Sequence, residues 1–204
     1  MDIYTIGHSN YPMERLIDML RHHNINCVVD IRGTPYSKYN VQYDREDFRE
    51  TLIRLGFTYI YMGKEFAANR INKVSYNSEG YSDFEKVVKE EDFLNGIERL
   101  KIGCEKGYKI AILAAMQDPI RCHRAILMGK PLIENGFNVR HILHDYSLGT
   151  QEDIEKSLLD KYFSTRGQIT IDTLLGTEKT KEDMIREGYR LANKEIGYRV
   201  ERLK

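Results

Sequence analysis

Short apolar runs alternate with segments whose apolar residues recur at helical spacing, and this alternation restricts the possible folds most. The runs are Ile3 to Ile6, Ile25 to Ile31, Phe57 to Met62, Tyr108 to Ala115 and Val139 to Leu143. Each is short and rich enough in β-branched residues for a buried strand. Between the first two lies Pro12 to Leu20, with Leu16, Ile17, Met19 and Leu20 at helical spacing. Asp44-Arg-Glu-Asp47 can cap a second helix, which carries Phe48, Leu52, Ile53 and Leu55 and stops at Gly56. Ser82-Asp-Phe-Glu85 is a capping box for a helical region reaching Gly103, with a break expected near Asn95-Gly96. A last helix follows Asp118, apolar at Ile120, Ile126, Leu127 and Leu132, interrupted by Pro131 and ended by Gly136.

Strands alternating with helices predict an α/β fold, a single domain with a mostly parallel sheet flanked by helices. Its crossovers bring every strand-to-helix loop to one edge of the sheet. The loops at His8-Ser9, Asp30 to Ser37, Gly63 to Tyr81 and Asp118 to Arg124 should therefore meet. The third is rich in Asn, Ser, Gly and Tyr and reads as a binding loop or lid whose tyrosines could stack a base. After Tyr146 the pattern changes. Asp153 to Phe163 reads as an amphipathic helix, and Thr180-Lys-Glu-Asp183 caps another running toward Tyr198. Ile169 to Leu175 is a candidate short strand. The division expected is an α/β core over 1–146 and a C-terminal helical appendage over 147–204 packed on it.

Lys+Arg 31 balances Asp+Glu 31, which excludes a global basic field and leaves only local basic patches for nucleic acid. Cys27, Cys104 and Cys122 are too widely spaced for a disulfide framework or a zinc pattern, and they fit a reducing cytoplasm. The chain opens on a strand-like run rather than a signal peptide. No run approaches the ~18–20 apolar residues of a membrane span, so no membrane partner is expected. There is no Gly-x-Gly-x-x-Gly and no phosphate loop, and neither a resident cofactor nor a metal is expected.

The chemistry concentrates where the strand Ile110 to Ala115 runs into Asp118-Pro119, an N-cap residue followed by proline at a helix start. The next turn carries Arg121, Cys122, His123 and Arg124, a convergence of backbone N–H groups and positive charge that suits an anion. Cys122 is a nucleophile candidate, because a helix start and nearby cations lower a thiol's pKa. The stronger competing reading is a small packed residue, at helical spacing with Ala125 and Ile126. The phosphatase spacing of Cys and Arg is absent around it. Cys27 and Arg32 are five apart but lie within one strand. His123 is a general base, a phosphate donor or a packed histidine. Arg32 and Arg124 each need an anionic partner, a ligand phosphate or an internal carboxylate, and Asp30 is the internal competitor for Arg32. His8 and Ser9 occupy the first strand-to-helix loop, a favoured phosphate position. Ser37 and His141 are further ligand-binding candidates at the same edge. His22 and His23 read as helix-end residues that meet the dipole.

These pieces together resemble the "domain of unknown function 488" family. The motifs are Tyr4-Thr-Ile-Gly-His-Ser9, Val29-Asp-Ile-Arg32 with Pro35 and Ser37, Tyr59-Ile-Tyr-Met-Gly63-Lys-Glu, Asp118-Pro with Cys122-His-Arg124, and Val139-Arg-His-Ile142. Gly188-Tyr-Arg and Glu195-Ile-Gly-Tyr198 resemble its C-terminal helix. The resemblance implies an α/β fold with a polar site made from the Gly-His-Ser, Asp-x-Arg and Cys-His-Arg motifs, and implies no reaction. It also implies a Cys and a Glu on the strand before Asp-Pro, where this chain has Ala114 and Met116, and a Leu-Gly-Gly where it has Phe66-Ala67-Ala68. A mechanism needing that Glu as acid or base does not run here unchanged.

The first functional expectation is an enzyme acting on a phosphate-bearing ligand, a nucleotide or nucleic-acid end. Ser9, Arg32, Ser37, Arg124 and His141 would bind, and His8, Asp30, Cys122 and His123 would carry the chemistry. The alternative is a non-catalytic ligand- or nucleic-acid-binding regulatory module on the same scaffold. The third is sulfur or thiol chemistry through Cys122. Oligomeric state is left open.

Overall fold

A computed structural model of the chain describes residues 1–164 and 179–200. The core elements are β1 (Asp2–Gly7), α1 (Met13–His22), β2 (Cys27–Asp30), α2 (Arg45–Arg54), β3 (Thr58–Tyr61), α3 (Gly63–Phe66), α4 (Phe84–Val87), α5 (Glu91–Glu105) and β4 (Ile110–Ala114). There follow α6 (His123–Ile126), α7 (Gly129–Glu134), β5 (Asn138–Ile142), β6 (Leu148–Gly149), α8 (Gln151–Tyr162) and α9 (Lys181–Ile196). The strands form one six-stranded sheet in the order β3-β2-β4-β1-β5-β6. Neighbours pair parallel except β5 and β6, which pair antiparallel. The mostly parallel α/β architecture is therefore as the alternation predicts, with the C-terminal helices added.

Successive strand residues point to opposite faces, and the two faces bury separate apolar clusters. Tyr4, Ile6, Val28, Ala111 and Leu113 face α1 and α2, where Leu16, Ile17, Met19, Leu20, Phe48 and Leu52 are buried. Each such burial contributes roughly 1.5–3 kcal/mol. Ile3, Val29, Ile110, Ile112 and Ala114 face the other way, toward Phe66, Phe93, Ile97, Leu132, Leu158 and Ala192. The chain thus leaves β1 toward one face and leaves its neighbour β4 toward the other. Adjacent strands whose exits diverge leave a crevice beyond their C-terminal ends.

Several boundaries depart from the sequence expectations for local reasons. The region after Ser82 divides at Val88–Glu90, and α5 runs unbroken through Asn95 and Gly96. Gly96 sits there because a Cβ would lie 2.6 Å from Phe66 Cζ. Asp83, not Ser82, caps α4 by accepting the Glu85 N–H, and the Ser82 hydroxyl accepts from Tyr198 N–H instead. Asp44 stands at the N-cap of α2, but its carboxylate accepts the Ser37 N–H. The excursion after β3 contains α3, a 3-10 turn at Lys73–Ser75 and a bridge between Tyr76 and Ser82. Pro131 lies in the first turn of α7, past a break that separates it from α6. The capping boxes at Thr150/Asp153 and Thr180/Asp183 are both formed. The candidate strand Ile169 to Leu175 lies outside the described residues.

The C-terminal helices are tied to the core by buried polar groups. The Asn193 carboxamide accepts the Phe84 N–H at 2.9 Å and donates to Ser82 O at 2.9 Å. Gln151 Nε2 donates to Ala125 O at 3.1 Å and to the Tyr189 hydroxyl at 2.7 Å. Gln151 Oε1 accepts from His141 Nε2 at 2.9 Å, and His141 Nδ1 meets the Thr5 hydroxyl at 2.8 Å. No helix among the described residues is long and apolar enough to cross a membrane.

Asn193→Ala strands a buried N–H and a buried carbonyl. It should lower stability by about 1–3 kcal/mol, read as a lower urea midpoint. An unchanged midpoint would show that α9 is not anchored through this side chain.

Candidate functional site

The crevice between the exits of β1 and β4 has a volume of about 630 Å³. Its wall is made by His8, Ser9 and Asn10 after β1, by Ala115 to Pro119 and Arg121 after β4, by Leu143 and His144 after β5, and by Asn40. The first and fourth of the loops expected to converge therefore form it.

The wall is shaped from beneath by Arg124. This side chain is fully buried. One terminal nitrogen donates to Met116 O and the other to Gln117 O at 2.7 Å. Its Nε finds no partner, and no carboxylate pairs with it among the described residues. Gly7 completes the fit, because a Cβ there would stand 1.8 Å from Met116 O and 3.0 Å from an Arg124 terminal nitrogen. Opposite, Ser9 takes φ 49°, a left-handed backbone that is strained for a residue with a side chain. Its N–H donates to Ala115 O at 2.8 Å, which ties the two rims together. The residue is half-exposed on the crevice wall, and its hydroxyl donates to Asn10 Oδ1 at 3.3 Å.

Behind His8 lies a closed ion pair. The Arg32 Nε donates to one Asp30 oxygen at 2.9 Å and its terminal nitrogen to the other at 2.6 Å. Asp30 also accepts the Arg32 N–H and the Tyr59 hydroxyl. The remaining Arg32 nitrogen donates to Tyr43 O at 2.8 Å and approaches His8 Nε2 at 3.4 Å. His8 Nδ1 must carry its proton, because it donates to Ser9 O at 2.7 Å. The ring stacks on Tyr43 with centroids 4.2 Å apart. Burial and the Arg32 charge pull His8 down to about 4, so it is neutral near pH 7.

Asp118 caps a 3-10 turn over Pro119–Arg121, not an α-helix. Cys122 is then extended, at φ −136° and ψ 139°, before α6 begins. This break separates residues that a continuous helix would stack. Arg121 lies exposed on the crevice wall, and Cys122, 2% exposed, and Arg124 lie inside. His123 Nε2 donates to Ile31 O at 3.3 Å, which leaves Nδ1 to face Cys122 Sγ at 3.9 Å. Burial pushes the Cys122 thiol up, but Arg124 and His123 outweigh it and bring it to about 6. A thiolate at neutral pH supplies a counter-charge for the buried Arg124.

The other candidates have local duties. The Ser37 hydroxyl accepts the Tyr39 and Asn40 N–H groups, each at 3.2 Å. His141 is held between Thr5 and Gln151, and burial lowers it to about 4. His8 and Ser9 reach the crevice. Asp30, Arg32, Cys122 and Arg124 form the layer beneath, and Ser37, His123 and His141 are not part of its wall. Asn10, Asn40 and Gln117 line the crevice without having been named as candidates, together with His144 and with Arg121, which the sequence marked only as part of the positive charge at the turn after Asp118. Only a position soon after a strand end could have marked Asn10, Gln117 and His144, and Asn40, ten residues beyond β2, had no such signal. Among the described residues no cluster of His, Cys, Asp and Glu has the makings of a metal site.

Residues 12–130 match the family model described as Domain of unknown function DUF488. The match spans more than half of the chain, including Asp30, Arg32 and the Arg121 to Arg124 segment. No curated protein and no solved structure matches the chain.

Two outcomes follow from the titrating groups. Thiolate absorbance should rise with a midpoint near pH 6 and vanish in Cys122→Ser; a midpoint in the ordinary thiol range of about 8–9 would remove the counter-charge role. His8 and His141 bind protons near 4 when folded but near 6.5 when unfolded. Stability should therefore fall as pH drops from about 6.5 toward 4. His141→Gln should flatten that dependence, and an equally steep loss in the variant would exclude His141 as a source.

Proposed function

We propose, from the premise that the chain belongs to the DUF488 family, that the crevice binds a phosphate-bearing ligand and that Arg121 meets its anion. The observation that carries this reading is how the three arginines are partnered. Arg32 is spent on Asp30 and Tyr43, and Arg124 on the Met116 and Gln117 carbonyls. Arg121 lines the crevice and is exposed; its N–H donates to Asp118 O at 3.2 Å, but its guanidinium makes no hydrogen bond or ion pair with another described residue. Its charge is felt at Glu195, which is already paired with Lys161. An exposed guanidinium on a concave wall offers a phosphate a bidentate, charge-assisted contact.

The rest of the wall suits a nucleotide or a nucleic-acid end. Ser9, Asn10, Asn40 and Gln117 offer donors and acceptors for sugar or base, and Met116, Pro119 and Leu143 offer apolar contact. Asp118 is the sole carboxylate among the lining residues, and it is engaged in capping the Ile120 N–H at 3.1 Å. The volume lies within the few-hundred-Å³ range of small-ligand sites.

The reading is binding rather than turnover. A histidine held near 4 is a weak general base at neutral pH. The Cys122 sulfur is outside the lining and serves as a counter-charge. Ala114 and Met116 stand where the family resemblance puts a Cys and a Glu. The three free cysteines fit a reducing compartment such as the cytoplasm.

Arg121→Ala should weaken nucleoside monophosphate binding about tenfold or more, in line with the ~1.5–3 kcal/mol of a charged hydrogen bond. Calorimetric titration reads the affinity and thermal unfolding confirms the fold. A well-folded variant with unchanged affinity would remove Arg121 from the site and the reading with it.

A further inference from the structure

Beyond the anion contact, the rim of the crevice carries its own information. The loop over residues 36–41 reaches the crevice at Asn40. Next to it Tyr39 is 93% exposed, and Tyr36 is 49% exposed. Holding aromatic surface in water is unfavourable, yet the loop is braced to keep it there. The Ser37 hydroxyl accepts the Tyr39 and Asn40 N–H groups, and the Ser37 N–H donates to Asp44 at 2.9 Å. The Tyr36 hydroxyl donates to Glu46 at 3.0 Å. Arg45 lies over the Tyr36 ring at 5.9 Å and the Tyr61 ring at 5.0 Å. Between the two exposed tyrosines stands Lys38, exposed and without an ion pair among the described residues.

Aromatic faces alternating with a free cation match the base–phosphate alternation of an unpaired strand. A duplex hides its base faces, and a free mononucleotide in the crevice would have no second base to place on the rim. The tyrosines of the excursion after β3 do not compete for this role. The Tyr76 hydroxyl is bonded to both the N–H and the carbonyl of Arg70, and Tyr81 is buried.

We propose that the occupant of the crevice is the phosphorylated end of a single-stranded nucleic acid. Its terminal phosphate meets Arg121, its following bases stack on Tyr39 and Tyr36, and Lys38 meets a backbone phosphate between them. This rests on the phosphate reading of the crevice given above.

The test is fluorescence anisotropy of the full chain with short single-stranded oligonucleotides, phosphorylated at the 5′ end, at the 3′ end or at neither. Matched duplexes and nucleoside monophosphates compete. An end-phosphorylated strand should bind most tightly, and Tyr39→Ala should weaken it roughly tenfold, with a much smaller effect on the monophosphate. A 93% exposed side chain can be removed without unfolding the protein, and circular dichroism checks this. Monophosphate binding that depends on Arg121, with no gain for the strand or no loss in Tyr39→Ala, would overturn the strand proposal and leave the crevice reading standing. No binding of any phosphate probe would overturn both.

Discussion

A guanidinium with no exposure to water and no carboxylate paired with it among the described residues underlies the mouth of the crevice. Removing such a charge from water costs several kcal/mol, and Arg124 offsets this through two carbonyls, those of Met116 and Gln117. The geometry requires arginine, because a lysine ammonium cannot span two diverging acceptors as a planar fork does. It also requires a glycine at position 7, since any side chain there would strike Met116 O. The loop after β4 is thereby held against the end of β1, and the crevice has a fixed wall. The buried charge acts on its neighbours as well. It lowers Cys122 toward a thiolate and adds to the forces keeping His8 and His141 neutral.

The second buried arginine is stabilised differently. Arg32 and Asp30 satisfy one another almost completely, and Tyr59 and Tyr43 complete the set. A pair so closed contributes orientation rather than binding capacity, and what it orients is His8. Two of the arginines near the sheet edge thus build the site, and the third, Arg121, lies exposed on its wall. Polar groups at the far end of the molecule have a similar division of labour. Gln151 and Asn193 fasten α8 and α9 to α6, α4 and the sheet, so the segment bearing Arg124 is braced on both sides.

Much of the fold was legible in the chain because strand and helix periods are local properties. Leu16, Ile17, Met19 and Leu20 repeat at helical spacing whatever surrounds them, and the runs at Ile110 and Val139 are short and rich in β-branched residues, as buried strands are. The convergence of loops at one edge then followed from parallel pairing. The roles of individual side chains were less legible. Arg121 and Arg124 are three apart, and an unbroken helix would put them on one face. The extended backbone at Cys122 breaks that register and sends one outward and the other inward.

The sequence by itself determined the α/β class, the edge at which a site forms and the residue types available there, since those rest on periodicity and chain direction. Which arginine faces the crevice, which histidine is neutral and which tyrosines face water were decided only in three dimensions. Those properties depend on partners such as Met116 O, Tyr43 O and Gln151 brought close by the fold. A buried charge takes its state from whatever surrounds it, and in this chain the surroundings come from other strands and helices.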